Sequence, residues 1–372
     1  MRKNTIMGIV FPNAHDELMG EMTEKRSMGS LPFCGRYRLI DFSLSNLVNA
    51  GISKVGVVTK NNYQSLMDHI GSGKAWDLDR KSGGLFFLPP YSNTEARVYV
   101  GHLDGLFGAM DFLKNSTEQY VVLCDSDVIS NFDLSDMIEK HIDSKADITI
   151  AYKRGKMPCN HHDVMSFTLD GDKITDISFA SADKEDCLYS LDITIMSRER
   201  LIDIVKYGHE HNMTSLARNI FQRTFKTYDM RGYEVKTYAA VMDGPESYVR
   251  ITKEVLDGVD IRKELFAKER PVFTKTRDDM PTIYGLDSSV SNCIIADGCV
   301  IEGTVKNSVL FRGVRIGAGA VVKDSIIMQD SYVGSNTDVE YVTVDKRVKV
   351  GSGKTLKGTA IYPIYIRKNA EV

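Results

Sequence analysis

Between residues 313 and 332 two rows of residues recur at intervals of six. Gly313, Gly319, Ser325 and Ser331 form one, and Val314, Ala320, Ile326 and Tyr332 form the other, one position on. Neither an α-helix nor a flat strand repeats at six. A parallel β-helix does: three such units close one triangular coil, with aliphatics inside and small residues at the turns. A loose β-sandwich is the alternative, but it gives no reason for two parallel rows at strict spacing. The short-period texture of Gly, small residues and isolated aliphatics starts near residue 280. Residues 281–372 therefore read as a β-helix of hexapeptide type. Residues 263–280, charged and containing Pro271, read as a linker, and residues 1–262 as a separate domain. A chain of 372 residues is long enough for two cores.

The first two thirds alternate between strand and helix patterns. Ile6–Phe11 is a short apolar run suited to a buried strand, and Lys54–Thr59, Tyr120–Cys124, Asp147–Ala151 and Ile193–Met196 continue the series. Residues 43–50, closed by Gly51, together with 106–114 and 134–141, read as helices. The alternation predicts a doubly wound α/β domain with a mostly parallel sheet.

Several classes of function are excluded by composition. A net charge of −3 provides no basic field for nucleic acid or an anionic membrane. The six Cys form no CxxC and no zinc-like spacing, and Cys34, Cys124 and Cys293 sit in or beside apolar runs, where thiols act as small hydrophobes. Inert, reduced thiols and a cytoplasmic location are the expectation. The apolar run Ile6–Phe11 is too short for a signal-peptide core or a membrane span. His161, His162 and Asp163 read as a solvated loop, because adjacent side chains rarely converge on one ion. Trp76, Phe86 and Phe87 lie in a Gly-rich stretch, residues 71–90, that reads as a mobile flap, a subunit contact or a surface loop with aromatic anchors.

In a nucleotide-binding α/β domain, phosphates sit beyond the carboxyl end of a strand, where glycines admit backbone N–H groups and basic side chains neutralise charge. Residues 11–20, after the first strand, have no Gly before Gly20 and no Lys or Arg, and they carry Asp16 and Glu17. Two carboxylates beside a triphosphate repel it in a poorly screened cleft.

Residues 35–46 and 49–52 closely resemble the GGKYRIIDFxLSNxxNSGI stretch of ADP-glucose pyrophosphorylases (glucose-1-phosphate adenylyltransferases). Within that family the pattern is similar to the GlgD-type regulatory subunit. The resemblance covers essentially the whole chain and implies a Rossmann-like nucleotidyltransferase domain followed by a left-handed β-helix. Carried back without a gap, the family's LAGGRGTRL falls on residues 11–19. Its paired glycines land on Asn13 and Ala14, and its arginines on His15 and Leu18. The lysine of RAKP becomes Met28, while Thr23 and Arg26 are retained. The Mg²⁺-binding Asp of LAGDH aligns with Ser126, flanked by Asp125 and Asp127, and the acid of DVG aligns with Met242, beside Asp243. On a strand, Asp125 and Asp127 point away from the face of Ser126. A one-residue shift at the strand end would bring one of them back, which makes Asp125, Asp127 and Asp243 rescue candidates. The sugar-phosphate lysine of EKP falls near Ala182, with Lys184 close by. Gly101 and Asp104 match GTADA as substrate-binding positions, although its Thr becomes His102.

The resemblance therefore implies a noncatalytic or weakly active regulatory subunit. It would join a catalytic glucose-1-phosphate adenylyltransferase in a hetero-oligomer, a tetramer, that makes ADP-glucose from ATP and glucose 1-phosphate for glycogen synthesis. No cofactor is expected in this chain, Mg²⁺ belonging to the active partner. The alternative is a competent adenylyltransferase with a rewired loop. Acyl transfer, common in β-helices, is disfavoured because residues 280–372 contain no His.

Overall fold

A computed structural model of the chain describes residues 5–90, 99–158, 164–179 and 186–372. Among the described residues, nine strands build the N-terminal sheet: β1 (Ile6–Phe11), β2 (Lys54–Val58), β3 (Gly84–Leu88), β4 (Tyr120–Asp125), β5 (Ile148–Gly155), β6 (Met165–Asp170), β7 (Lys173–Phe179), β8 (Cys187–Ser197) and β9 (Met230–Glu234). Their order is β3-β2-β1-β4-β8-β5-β9-β7-β6, with β8 also touching β6. The parallel expectation holds for β3, β2, β1 and β4. It fails at β8, which runs antiparallel to both β4 and β5, so the sheet is mixed. Apolar runs in these strands identify buried strands but carry no direction.

Among the helices of the described residues are α1 (Leu39–Asn49), α2 (His102–Gly108), α3 (Leu134–Ser144), α4 (Arg198–Glu210) and α5 (Pro245–Asp257). Helix α1 starts four residues earlier than its apolar pattern suggests. The reason is Asp41, whose carboxylate accepts the Arg38 N–H and a bond from His69 Nε2. Gly51 stops the helix with φ +79. Trp76 is buried against His69, as an aromatic anchor would be, while Phe86 and Phe87 lie in the edge strand β3, so the end of residues 71–90 is strand and not loop.

The C-terminal region stacks parallel strands into sheets of five and eight strands. The pitch is shorter than three strict hexads. Ser308 accepts the N–H of Ser325, and Ser325 accepts that of Val342, each seventeen residues along. The interior aliphatics Val305, Leu310, Ile316, Val322, Ile327, Val333, Val339, Val344 and Val350 follow steps of five, six and six. The five-residue step corrects the sequence rows. Val314 and Ala320 face the interior, but Ile326 packs against the α/β domain and Tyr332 is exposed. Ser325 and Ser331 are buried, and their hydroxyls accept N–H groups of the next coil.

Residues 266–282, between the last helical segment and the first β-helix strand, contain no strand or helix. They are tied down nevertheless: Asn131 Nδ2 donates to the carbonyls of Leu265 and Arg270, and Phe273 N–H donates to Ser45 Oγ. The two regions share a core in which Phe33, Met242 and Tyr248 meet Val309, Phe311 and Met328. A buried ion pair, Arg26 with Asp345, also joins them.

A closed loop and a buried His–Asp cluster

The carboxyl ends of β1 and β4 are the place where an α/β domain binds phosphate. Here the loop after β1 is folded on itself. Asn13 Nδ2 donates to Asp16 Oδ2 at 2.7 Å, and Asp16 Oδ1 accepts the Met28 N–H at 2.7 Å. Thr23 Oγ1 donates to the Asp16 carbonyl, and Gly29 N–H donates to the Pro12 carbonyl. Asp16 is thus a structural acceptor inside the loop, while Glu17 is exposed. Residues Asp16–Met22 form a 3₁₀ helix, and the Leu18 N–H donates to the His15 carbonyl. A cavity of about 30 Å³ is left beside Phe11, Asn13, Lys60 and His102. Pockets for drug-sized ligands span about 300–1,000 Å³.

Asp125, the last residue of β4, and Asp127, just beyond it, face His15 of this loop. Helix α1 holds that strand end: Ser43 Oγ donates to the Asp125 carbonyl and Asn46 Nδ2 to the Ser130 carbonyl. His102, the first residue of α2, donates from Nε2 to both Asp125 oxygens at 2.9 Å. His15 Nε2 donates to Asp125 Oδ2 at 3.2 Å and lies 3.8 Å from Asp127 Oδ2. Asp192 reaches the same point from an irregular segment of β8, where its φ is +49.

The charges in this cluster shape one another. Burial works against a positive His15, but Asp127, Asp125 and Asp192 overcome it and carry its pKa up to about 9. His102 is likewise raised, because Asp125 outweighs burial. Asp125 is held well below the usual carboxylate range, the two histidines overcoming its burial. Burial, then Asp125 and Asp192, push Asp127 up to about 7 against the pull of His15. Asp192 is raised by burial and by Asp125.

The other family-aligned positions lie elsewhere. Ser126 is buried, with its Oγ against Gly29. Met28 and Met242 are both sealed in the apolar core shared with the β-helix, alongside Met19. A thioether in that core and a hydroxyl facing Gly29 do not fit Mg²⁺, which demands hard oxygen ligands in octahedral geometry. Asp243 does not join the cluster. It lines a separate cleft of about 770 Å³ between α5 and the β-helix, and its N–H donates to Ser247 Oγ. The two displaced acids therefore do not shift together into one site. Leu18 is half-buried in the 3₁₀ turn. Gly101 precedes α2, and a Cβ there would lie 2.3 Å from the Thr214 carbonyl oxygen, so packing explains this glycine. Asp104 accepts the Val100 N–H as a local cap. Ala182, Lys184 and the His161–Asp163 group lie outside the described residues. Sequence reasoning missed Asp192. Its one signal was a lone acid in the apolar run 191–196.

Among the described residues, no helix is long and apolar enough to cross a membrane. Two family models match the chain: "Nucleotidyl transferase" over residues 19–167 and "GlmU-like, C-terminal hexapeptide" over residues 282–358. The chain is 34% identical to the glycogen biosynthesis protein GlgD of Bacillus subtilis (strain 168), over 99% of this chain and 97% of that protein. It is 36% identical to the GlgD of Geobacillus stearothermophilus, over 98% and 96%. It is 29% identical to the glucose-1-phosphate adenylyltransferase of Acetivibrio thermocellus, over 96% and 86%.

Proposed function

Because the chain belongs to the family of GlgD proteins and glucose-1-phosphate adenylyltransferases, we propose that it serves glycogen biosynthesis as a noncatalytic regulatory subunit. It assembles with an active homologue that makes ADP-glucose from ATP and glucose 1-phosphate. The observation that carries this reading is the closed loop. Asp16 ties the loop together by accepting from Asn13 Nδ2 and the Met28 N–H, and His15 and His102 pair with Asp125 at the strand end. The positions aligned with a phosphate-binding lysine and a metal-binding acid are core methionines. Catalysis of phosphoryl or nucleotidyl transfer rests on positioned cations and metals, and losing one such stabiliser typically costs about a hundredfold or more.

The surface supports assembly. Met280, at the end of the linker, and Ile283, Tyr284 and Leu286, on the first coil of the β-helix, are exposed. Among the described residues the adjacent strand Ser289–Ile295 pairs on one side only, with Thr304–Leu310. Soluble proteins cover or charge such an edge, and an apolar one is a template for a partner.

The test is an assay of ADP-glucose synthesis by the purified chain alone and after co-expression with a catalytic homologue. The expected result is negligible turnover alone, co-elution on size exclusion, and altered kinetics of the partner. Turnover by the isolated chain close to that of the homologue would overturn the reading in favour of a working enzyme with a rewired loop.

A further inference from the structure

We infer that His15, Asp127 and Asp192 form a binding site for one divalent transition-metal ion of the Zn²⁺ or Mn²⁺ kind, seated where a family enzyme would place nucleotide phosphate. One potential ligand atom of each residue lies within 4.8 Å of the other two, so a small contraction would bring all three onto one ion. Asp125 is not one of the three, but its Oδ2 lies 3.2 Å from His15 Nε2 and borders the site.

Asp127 points to the ligand. Its side chain is 2% exposed, yet neither carboxylate oxygen accepts a hydrogen bond. An ionised carboxylate buried without donors is costly, and such groups are normally paired or bound to metal. The nearest cation, the His15 ring, is 3.8 Å from Asp127 Oδ2 and makes its hydrogen bond to Asp125 instead.

The backbone supports the same assignment. Asp192 sits at φ +49 in a β8 irregularity, and Ser190 braces it by accepting its N–H at 2.9 Å and donating to Oδ1 at 3.2 Å. A left-handed residue held inside a strand costs energy, and such strain gathers at binding sites. His102, bonded to both oxygens of Asp125, holds that carboxylate against His15, as outer partners orient ligands in metal centres. An imidazole among carboxylates selects a borderline ion over Mg²⁺. The ion would bridge the loop after β1, the end of β4 and the middle of β8, and so lock the loop closed.

The inference does not rest on the regulatory role, because the readout is metal binding rather than synthesis or assembly. The full chain is stripped with chelator and titrated with Zn²⁺, Mn²⁺ and Mg²⁺ by calorimetry, with retained metal counted by elemental analysis. Co²⁺ is added as a spectroscopic probe. The expected result is one Zn²⁺ or Mn²⁺ per chain, a visible Co²⁺ band, a saturable rise in melting temperature, and Mg²⁺ at least a hundredfold weaker. Asp127→Asn and Asp192→Asn should each weaken binding tenfold or more and abolish the Co²⁺ band. Asp192→Asn leaves the loop untouched, so it reads the site even if changes at Asp127 impair folding. Stoichiometry and band unchanged in both variants would place the ion elsewhere and overturn the assignment. Absence of a retained ion, or Mg²⁺ binding as tightly as Zn²⁺, would also overturn it.

Discussion

Replacing Arg26 by Ala isolates the contact that ties the loop region to the β-helix. Arg26 and Asp345 are 4% and 2% exposed and form an ion pair across 319 residues of sequence. Asp345 also accepts the Tyr365 hydroxyl and the Lys346 N–H, each at 2.6 Å. Breaking a buried pair from one side typically costs about 3–5 kcal/mol, because the remaining charge is uncompensated. Two local features push the expected cost to the lower end, about 3 kcal/mol. Asp345 keeps two hydrogen bonds, and the Lys346 ammonium, lowered well below its usual pKa by burial and by Arg38 and Arg26, loses one repelling neighbour and can charge. At about 2–4 °C per kcal/mol for a domain of some 250 residues, the melting temperature should fall by roughly 6–12 °C. Arg26→Ala with Lys346→Met removes that compensation and should fall further. The effect has a defined pH window. Burial would raise the Asp345 carboxyl, but Arg26 and Tyr365 overcome it and hold it below the ordinary value. A carboxyl depressed in the folded state stabilises above its unfolded pKa of about 3.9 and loses that contribution as pH falls through the folded value. The gap between wild type and Arg26→Ala should therefore narrow on acidification below about pH 4. Thermal melts across that range test it. A loss under 2 °C at pH 7, or a gap that widens in acid, would refute the argument.

Gly101→Ala should destabilise the chain by about 1–3 kcal/mol, since the added Cβ meets the Thr214 carbonyl oxygen at 2.3 Å and backbone must move; a denaturant melt checks this, and no loss would return Gly101 to a ligand-facing role. Ser331→Ala removes the acceptor of the Val348 N–H, 3.2 Å away, inside the β-helix and should cost about 1–3 kcal/mol, read by hydrogen exchange at that amide. Met28→Lys combined with Met242→Asp, the apparent repair of the phosphate and metal positions, should instead lower the yield and melting temperature sharply. Both side chains are fully enclosed in apolar packing, where unpaired charges are strongly disfavoured. A stable double variant that binds ATP with Mg²⁺ would mean that the cleft is open.

The difference between aligning residues and placing them decides how much of this was legible in advance. The α/β order and the β-helix follow from local periodicity, which needs only chain neighbours. The pitch does not, because the five-residue step at Ile327 is set by a hydrogen-bond ladder seventeen residues deep. Strand direction in β8 is likewise set by its neighbours β4 and β5, and its apolar run reads the same either way. At the site, alignment identified what is missing: glycines, arginines, lysine and acids. It could not reveal that the missing groups had been replaced by a cluster of different chemistry. His15 and His102 are ordinary loop and helix-start residues in sequence, 87 positions apart, and Asp192 lies further still along the chain. They meet only because β1, β4 and β8 adjoin in the sheet and helix α2 delivers His102 to the same edge. The same adjacency explains why Asp243, one residue from an aligned metal position, contributes nothing to the cluster. Met242 N–H donates to the Asp127 carbonyl, which fixes the strand pair, and the next side chain therefore faces the α5 cleft. A shift by one residue thus has opposite outcomes at the two aligned positions: it brings Asp125 and Asp127 to His15, and it sends Asp243 to the α5 cleft.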